Sequence, residues 1–223
     1  MVDSSLQIKS PLQPLWRPHY AGKTPMDVYR KHINNKFRCH LATTQELHSW
    51  TVAQPQVFWL DLYDYIQIIP PLPAGTKRAY DESIPISSIP PFFEDVRLNF
   101  TENVLEGREP DAIALIEIRE GGSLDGEKTT WKSLREKVRV VRSALLRSGV
   151  VVGDRIAALV SNSVWAVVLF LASASMGAVF TSISPDLGSE VGGYLLLSEN
   201  FVPITCIEDE LPAERDSMTS TAL

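Results

Sequence analysis

The sequence predicts an α/β protein in which a helical N-terminal cap is followed by the first part of a unit built on a parallel sheet. Apolar residues recur at spacings of three and four through much of the first 70 residues, as on one face of a helix. Prolines crowd residues 70–93, and proline interrupts helices and strands. From Asp111 onward, short β-branched runs alternate with helical patterns, which is typical of parallel strands joined by crossover helices.

Composition places the chain among ordinary globular proteins. Its 223 residues are 44% hydrophobic, enough for a sizeable core in one or two domains. The formal net charge of −6 and the pI near 5.3 argue against a nucleic-acid or anionic-membrane partner, because phosphates attract a basic footprint. The basic residues within 132–147 are predicted to lie on the solvated face of a helix.

The cysteines and the first residues indicate a reducing compartment. Cys39 and Cys206 are the only cysteines and lie far apart, so they build neither a disulfide framework nor a CxxC metal pattern. The first residues, MVDSSLQIKS, lack the apolar stretch of a secretory signal. We therefore predict a cytoplasmic location.

Residues 156–185 carry no charge and form a stretch long enough to span a bilayer. Ser161, Asn162, Ser163 and Gly177 divide that stretch into shorter pieces. We predict a strand, a helix and a strand buried in an α/β core, because parallel strands are covered on both faces and read as apolar runs. No membrane partner is expected.

Three helices are predicted before the prolines. Thr24 and Pro25 have the chemistry of a helix start, and Thr43 with Glu46 has the spacing of a capping box. A third helix is predicted to begin at Pro55 and to end at the prolines after residue 69. The predicted apolar faces comprise Met26, Tyr29, Ile33 and Phe37; Leu47 and Trp50; and Phe58, Leu62, Ile66 and Ile69.

The α/β part begins with a predicted strand over residues 112–118. The glycine-rich residues 121–129 come near a phosphate-binding P-loop, but Glu127 stands where the motif needs lysine, and Lys128 comes one position late. Asp125 followed by glycine is instead a strong signal for a hairpin turn. The sequence therefore favours two hairpin strands over a nucleotide site.

One helix and two strands follow the hairpin, with a second helix between the strands. Thr130 is predicted to cap the first helix, which ends at Gly149. The next strand begins at Arg155, and either Ser161 or Ser163 is predicted to cap the second helix. That helix runs through Met176, and residues 178–183 form the following strand; its apolar pattern indicates burial.

No group of residues in the sequence predicts a catalytic or metal site. Histidines occur at positions 19, 32, 40 and 48, and nothing in the sequence ties any of them to a serine or a carboxylate. Cys39, His40 and His48 lack the spacing of a zinc site, and the G-x-S-x-G nucleophile motif is absent. The residues alone predict an α/β protein with no self-contained active site.

Three segments occur in an order and spacing that resemble a known family. Residues 14–18 read PLWRP and residues 47–52 read LHSWTV; residues 97–105 read RLNFTENVL; residues 149–156 read GVVVGDRI, and residues 182–188 read SISPDLG. They are similar to the "PLW-P", "LH-WSV", "RLNYAENLL", "GV--GDRV" and "SPDFG" motifs of acetoacetyl-CoA synthetases. Those enzymes belong to the adenylate-forming acyl-CoA synthetase superfamily.

The resemblance covers residues 11–190 and implies a two-step reaction. In the family a carboxylate attacks ATP, with magnesium, to form an acyl-adenylate, and the CoA thiol then displaces AMP to give a thioester. The family's phosphate loop, its adenine- and ribose-binding motifs and its adenylation lysine have no match in this chain. No catalytic residue is therefore predicted, and neither ATP, CoA nor magnesium is expected to bind this chain tightly.

Few positions of the family's sites fall inside the chain. The resemblance implies that Ser184, Pro185 and Asp186 lie near the CoA nucleotide, with a simple turn at Pro185 and Asp186 as the alternative. Other polar residues match the cap motif and are predicted to hold the cap to the body by hydrogen bonds, namely Asn99, Glu102 and Asn103.

Together these patterns predict a cap and connector over residues 1–93, the start of an AMP-binding α/β domain over 94–197, and a divergent tail over 198–223. The tail contains a strand candidate at 201–207 and is otherwise predicted to be disordered. We expect an inactive portion of an acid–CoA ligase, as a truncated gene, a splice product or a frameshift would give. The alternatives are a non-catalytic module that associates with a full-length relative, and a small nucleotide-binding protein that uses residues 121–129.

Overall fold

The computed structural model describes residues 15–16, 19–20, 22–88, 90–119, 121–123, 125–185 and 201–205. The chain divides into two units. The first unit contains the chain up to Ile66 together with Gly75–Phe93, and the second contains Gln67–Ala74 and the chain from Glu94 onward.

Three helices form the first unit, together with a short 3-10 helix at Ile86–Ser88. The helices are α1 (Pro25–Phe37), α2 (Thr44–Ala53) and α3 (Pro55–Tyr65). The predicted caps are confirmed: the Thr24 side chain accepts a hydrogen bond from the Asp27 amide, and Thr43 and Glu46 form a capping box. Each cap satisfies amides that the first turn of a helix leaves without a partner.

The core of the first unit lies between these helices. Tyr29, Ile33 and Leu47 are buried there, as the helical spacing predicts. Other apolar side chains pack around them, namely Phe37, Leu41, Trp50, Phe58 and Leu62. Met26 is 54% exposed, so its predicted place on the buried face is wrong.

The end of α3 differs from the prediction. The helix stops at Tyr65, Ile66 is 54% exposed, and Gln67 adopts a left-handed backbone with φ 57°. The chain therefore leaves the helix before it reaches Pro70, and Ile66 and Ile69 do not extend the apolar face. The residues that α3 buries fully are Asp61 and Tyr63.

Residues 75–88 and 90–93 contain little regular structure, and several of them contact α3. The Gln56 side chain accepts a hydrogen bond from the Ala79 amide at 2.7 Å and donates one to the Tyr80 carbonyl at 3.0 Å. Trp59 packs edge-on against Phe92, with ring centroids 5.3 Å apart. Trp59 of α3 therefore packs against another segment of the same unit.

The second unit contains three helices and five strands among the described residues. They are α4 (Phe100–Leu105), β1 (Ile113–Glu117), β2 (Glu127–Thr130), α5 (Trp131–Arg147), β3 (Arg155–Leu159), α6 (Val164–Ser175), β4 (Val179–Ile183) and β5 (Phe201–Thr205). The α/β class predicted from the sequence is confirmed.

Two sheets organise these strands. β1 and β2 pair as an antiparallel hairpin, and β4, β3 and β5 form a parallel sheet in that order. Leu159, at the end of β3, pairs with Ile183 on one side and Thr205 on the other. The third strand in sequence is thus the central strand of the parallel sheet.

The core of the second unit lies between β3, α5 and α6. Thr130 accepts a hydrogen bond from the Ser133 amide and caps α5, as predicted, and Gly149 adopts a left-handed backbone with φ 86° just after that helix. Buried apolar side chains from the three elements form one cluster that includes Leu134, Val138, Val141, Leu145, Ile156, Ala158, Val168, Leu169, Leu171 and Ala172.

The uncharged stretch 156–185 forms strand, helix and strand, as predicted. Its helix, α6, has 12 residues. In the part of the chain that the structure describes, no helix combines the length and the apolar character that crossing a membrane requires.

Part of the predicted tail is a strand. The strand candidate at 201–207 is present as β5 over Phe201–Thr205. The remainder of residues 198–223 lies outside the described residues.

Candidate functional site

Two of the three predicted site residues, Ser184 and Pro185, lie at the carboxyl edge of the parallel sheet. Ligands of parallel α/β sheets bind outside the carboxyl ends of the strands. The Val160 amide donates to the Ile183 carbonyl at 3.1 Å, so the chain leaves β3 and β4 side by side. Ser184 and Pro185 follow β4 directly and are exposed, whereas Asp186 lies outside the described residues.

A carboxylate from the hairpin closes the amino terminus of α6 at the same edge. Oε2 of Glu117, the last residue of β1, accepts a hydrogen bond from the Val164 amide at 2.8 Å. Its other oxygen, Oε1, accepts from Nε of Arg119 at 2.7 Å. The Val164 hydrogen bond, aided by Arg119, holds the pKa of the Glu117 carboxyl below its ordinary value although burial acts to raise it.

The prediction that a serine side chain caps α6 is wrong. Ser163 stands at the N-cap position with extended backbone, but its side chain makes no capping hydrogen bond. Its Oγ is buried and has no hydrogen-bond partner among the described residues. Glu117, which lies 47 residues away from Val164 in sequence, provides the cap, and no local pattern could reveal it.

Polar side chains of the 97–105 segment bond to the last turns of α6. Nδ2 of Asn99 donates to the Ala174 carbonyl at 3.0 Å, and Oγ1 of Thr101 donates to the Leu171 carbonyl at 2.7 Å. The role of Thr101 is not apparent from the sequence, since a threonine inside a helix is usually solvated. These bonds fix α4 against α6.

Asn103 bonds to the backbone of Ile69. Its Oδ1 accepts from the Ile69 amide and its Nδ2 donates to the Ile69 carbonyl, both at 2.8 Å. The hydrogen bonding predicted for Asn99 and Asn103 is therefore present, and all of these bonds lie within the second unit. Glu102 contributes its amide, which donates to Oδ1 of Asn99 at 3.2 Å.

A buried carboxylate that the sequence did not indicate lies in the first unit. Asp61, 4% exposed, receives Nζ of Lys36 at 2.5 Å and the hydroxyl of Tyr29 at 3.1 Å. Nε2 of His32 lies 3.1 Å from both of its oxygens. The sequence-based view that no histidine is tied to a carboxylate is therefore wrong for His32.

The electrostatics of this cluster follow from its burial. Burial acts to raise the pKa of the Asp61 carboxyl, but hydrogen bonds from Lys36 and His32 outweigh it and lower that pKa. Burial and the neighbouring Asp61 charge raise the pKa of the Tyr29 hydroxyl. The cluster is an ion pair that joins α1 to α3.

The described part of the glycine-rich loop, residues 121–123 and 125–129, does not form a phosphate site. The Gly122 amide donates to the Arg119 carbonyl, the Gly126 amide donates to the Ser123 carbonyl, and the Asp125 amide donates to Oγ of Ser123. A P-loop needs amides that converge on phosphate, and here they are used inside the turn. The predicted hairpin is confirmed.

The described residues of this chain do not form a site that fits ATP or magnesium. Among the described residues, no group of three His, Cys, Asp or Glu side chains could hold a metal ion. In the loop that most resembles a nucleotide motif, the amides of Gly122, Asp125 and Gly126 bond within the turn, and its sequence includes Asp125 and Glu127. We therefore derive no reaction step through either group for this chain.

Comparison with known proteins identifies the family. The family model of the AMP-binding enzymes matches residues 101–199. The chain is 35% identical over 178 residues to the acetoacetyl-CoA synthetase of Xenopus tropicalis. This alignment covers 78% of this chain and 25% of that protein. It is 36% identical over 183 residues to the malonamoyl-CoA synthetase of Penicillium aethiopicum, covering 78% of this chain and 24% of the relative.

A solved structure agrees with this similarity. The acetoacetyl-CoA synthetase of Streptomyces lividans superposes with a TM-score of 0.66 at 27% identity, over 78% of this chain and 27% of that enzyme. The fold is thus the N-terminal part of an adenylate-forming enzyme, and residues 101–199 match the AMP-binding enzyme family. The chain is similar to the acetoacetyl-CoA synthetases, and it spans about a quarter of the length of the curated relatives.

Proposed function

We propose that this chain is the N-terminal portion of an ATP-dependent acid–CoA ligase that activates acetoacetate or a related short acid. The acid would form an acyl-adenylate, and the acyl group would then pass to CoA. The observation that carries the proposal is the match of residues 101–199 to AMP-binding enzymes together with two curated CoA ligases above 30% identity. The acyl groups in the names of those relatives, acetoacetyl and malonamoyl, both carry a carbonyl two carbons from the thioester carbon.

The proposal assigns residues 1–93 to a cap and connector and residues 94–197 to the start of the AMP-binding domain. It places the protein in the cytoplasm, in keeping with its two widely separated cysteines. The chain alone is expected to be inactive, because acyl-adenylate formation needs cations and amides gathered around a triphosphate. Among the described residues, the loop that most resembles a nucleotide motif uses the amides of Gly122, Asp125 and Gly126 within its own turn.

Activity measured with a chimera tests the proposed function. The segment of the Streptomyces lividans enzyme that aligns with residues 101–199 is replaced by those residues of this chain. We expect acetoacetate-dependent exchange of pyrophosphate into ATP by the chimera and no exchange by the 223-residue chain alone. A soluble chimera with the helix content of its host and no exchange would refute the ligase assignment, and exchange by the chain alone would refute its inactivity.

We further propose that Ser184, Pro185 and Asp186 lie in the CoA neighbourhood of the ligase. Support comes from the exposed position of Ser184 and Pro185 at the carboxyl edge of parallel strands. In the chimera, Asp186→Ala is expected to raise the KM for CoA in thioester formation. Pyrophosphate exchange does not use CoA and should keep its rate; equal loss in both assays would contradict this placement.

A further inference from the structure

Glu117 joins two elements of the second unit, β1 and α6, at the carboxyl edge of the sheet. It ends β1, its Oε2 accepts from the first amide of α6, and Arg119 holds its other oxygen. A carboxylate held at both oxygens has little freedom to move. The start of α6 is therefore tied to the hairpin as well as to β3, which directly precedes it.

The residues between β3 and α6 border the predicted CoA neighbourhood. Residues 160–163 leave β3 where Ser184 leaves β4, since Leu159 pairs with Ile183 and the Val160 amide donates to the Ile183 carbonyl. A shift of the first turn of α6 would move residues 160–163, and the amide of Val160 in that segment donates to the Ile183 carbonyl just before Ser184.

A local cap would be enough if only the helix needed stabilising. Ser163 stands at the N-cap position, where a serine hydroxyl ordinarily accepts from the amides of the first turn. Here the hydroxyl is left without a partner among the described residues, and a carboxylate from the hairpin takes its place. The distant residue fixes where the helix begins relative to the hairpin, which a local serine cannot do.

We propose that Glu117 is a positioning residue of the ligase, which holds residues 160–163 so that Ser184 and Pro185 keep their place at the CoA side of the sheet. This inference rests on the proposed function. Glu117 does not itself touch CoA or the acid; it acts through the Val164 amide.

Hydrogen exchange measured on the 223-residue chain tests the structural part of this proposal, namely that Glu117 holds residues 160–163 in place. Glu117→Ala should speed amide exchange in residues 160–166 by about tenfold, the loss typical of a removed cap, and should speed exchange in 180–185 as well. Glu117→Gln keeps an acceptor for Val164 and should restore most of the protection. The matched control is Glu136→Ala, which removes an exposed glutamate paired with Arg139 and should change neither segment.

The CoA dependence of thioester formation by the chimera tests the functional part of this proposal, namely that Glu117 affects the CoA side of the sheet. Glu117→Ala should raise the KM for CoA several-fold while pyrophosphate exchange is kept, and Glu117→Gln should lie close to the parent. An active parent with an unchanged KM in Glu117→Ala, or unchanged exchange in residues 180–185 of the chain, would overturn the positioning role alone. An inactive parent chimera would overturn the proposed function and this inference together.

Discussion

Asp61 shows how one side chain can join two helices. It lies on α3, and its partners Tyr29, His32 and Lys36 all lie on α1, between 25 and 32 residues away. Burying a carboxylate is costly unless charged or polar partners compensate it. Here three partners do so, and the strength of their attraction depends on the charge of the Asp61 carboxylate.

Asp61→Asn is expected to destabilise the first unit by about 2 kcal/mol, because hydrogen bonds to charged groups contribute on that scale. The amide can still accept from Tyr29 but loses its charge opposite Lys36 and His32. Urea unfolding measures the effect. Asp64→Asn, an exposed change on the same helix, serves as the control, and an equal loss there would contradict the special role of Asp61.

The pH dependence of this effect follows from the direction of the pKa shift. Because the folded protein lowers the pKa of Asp61 below 3.8, the carboxylate contributes stability above that value and loses it as pH falls through the lowered folded pKa. The difference in unfolding free energy between wild type and Asp61→Asn should stay constant near neutral pH and shrink below 3.8. A difference that does not shrink as the pH falls below 3.8 would contradict the lowered pKa of Asp61.

Asn103→Ala is expected to destabilise the second unit by about 2 kcal/mol, since it leaves the amide and the carbonyl of Ile69 without their partner. Thermal unfolding followed by circular dichroism measures this loss. Asn162→Ala, at an exposed position, should leave the midpoint nearly unchanged. Equal midpoints for the two variants would refute the importance of the Ile69 bonds.

At this scale, sequence predicts contacts that close within one helical turn. The caps at Thr24, Thr43 and Thr130 were predictable because each partner lies three residues away. The bonds of Asp61 and Glu117 were not, because their partners are distant in sequence and meet only in the folded chain. A glutamate at the end of a strand looks the same whether it is solvated or caps a helix.

Among the elements, the β1–β2 hairpin makes the sharpest demand on a single residue. Gly126 adopts φ 64°, and a Cβ there would lie 2.7 Å from the Glu117 carbonyl oxygen. Both the left-handed backbone and the close approach exclude a side chain. The glycine that suggested a phosphate loop is instead required by the turn.

Gly126→Ala is expected to cost more than about 1 kcal/mol through backbone strain, with a further loss from the steric clash. Gly121→Ala is the matched control, since φ is 75° there but nothing lies within 4 Å of the added Cβ. The difference between the two variants in urea unfolding isolates the clash. No difference would mean that the turn moves to make room.

The helices were predicted well where an apolar face and a local signal agree. α5 buries Leu134, Val138, Val141 and Leu145 and starts at its predicted cap. α3 was extended too far because Ile66 and Ile69 continue the helical spacing, whereas the backbone turns at Gln67. Periodicity alone cannot reveal a left-handed residue that is not glycine.

In the whole molecule, the two units have separate buried clusters. Ile33→Ala in the cluster of the first unit should lower the free energy of unfolding by about 3 kcal/mol, as is usual for a fully buried aliphatic side chain. It should also speed hydrogen exchange in α1 to α3. Leu134→Ala in the cluster of the second unit should lower the free energy of unfolding by a similar amount and should speed hydrogen exchange in α5 and α6. If either variant speeds exchange equally in both units, the two cores are not independent.

The sequence predicted the parallel pairing of β3 and β4 because strand, helix and strand follow one another along the chain. It could not predict the strand order, since the position of β5 depends on pairing across about forty residues, for which no local pattern exists. The candidate site was predictable only by resemblance. Ser184 and Pro185 carry no distinguishing chemistry, and their exposure at the sheet edge is a property of the fold.

The placement of β5 beside β3 has a consequence for synthesis of the protein. Arg155 through Leu159 emerge from the ribosome long before Phe201 through Thr205, their neighbours on one side. Until then the nascent sheet has two strands, and the backbone groups along one side of β3 remain unpaired and open to other chains. A stop or pause in translation between these strands should therefore favour aggregation over folding.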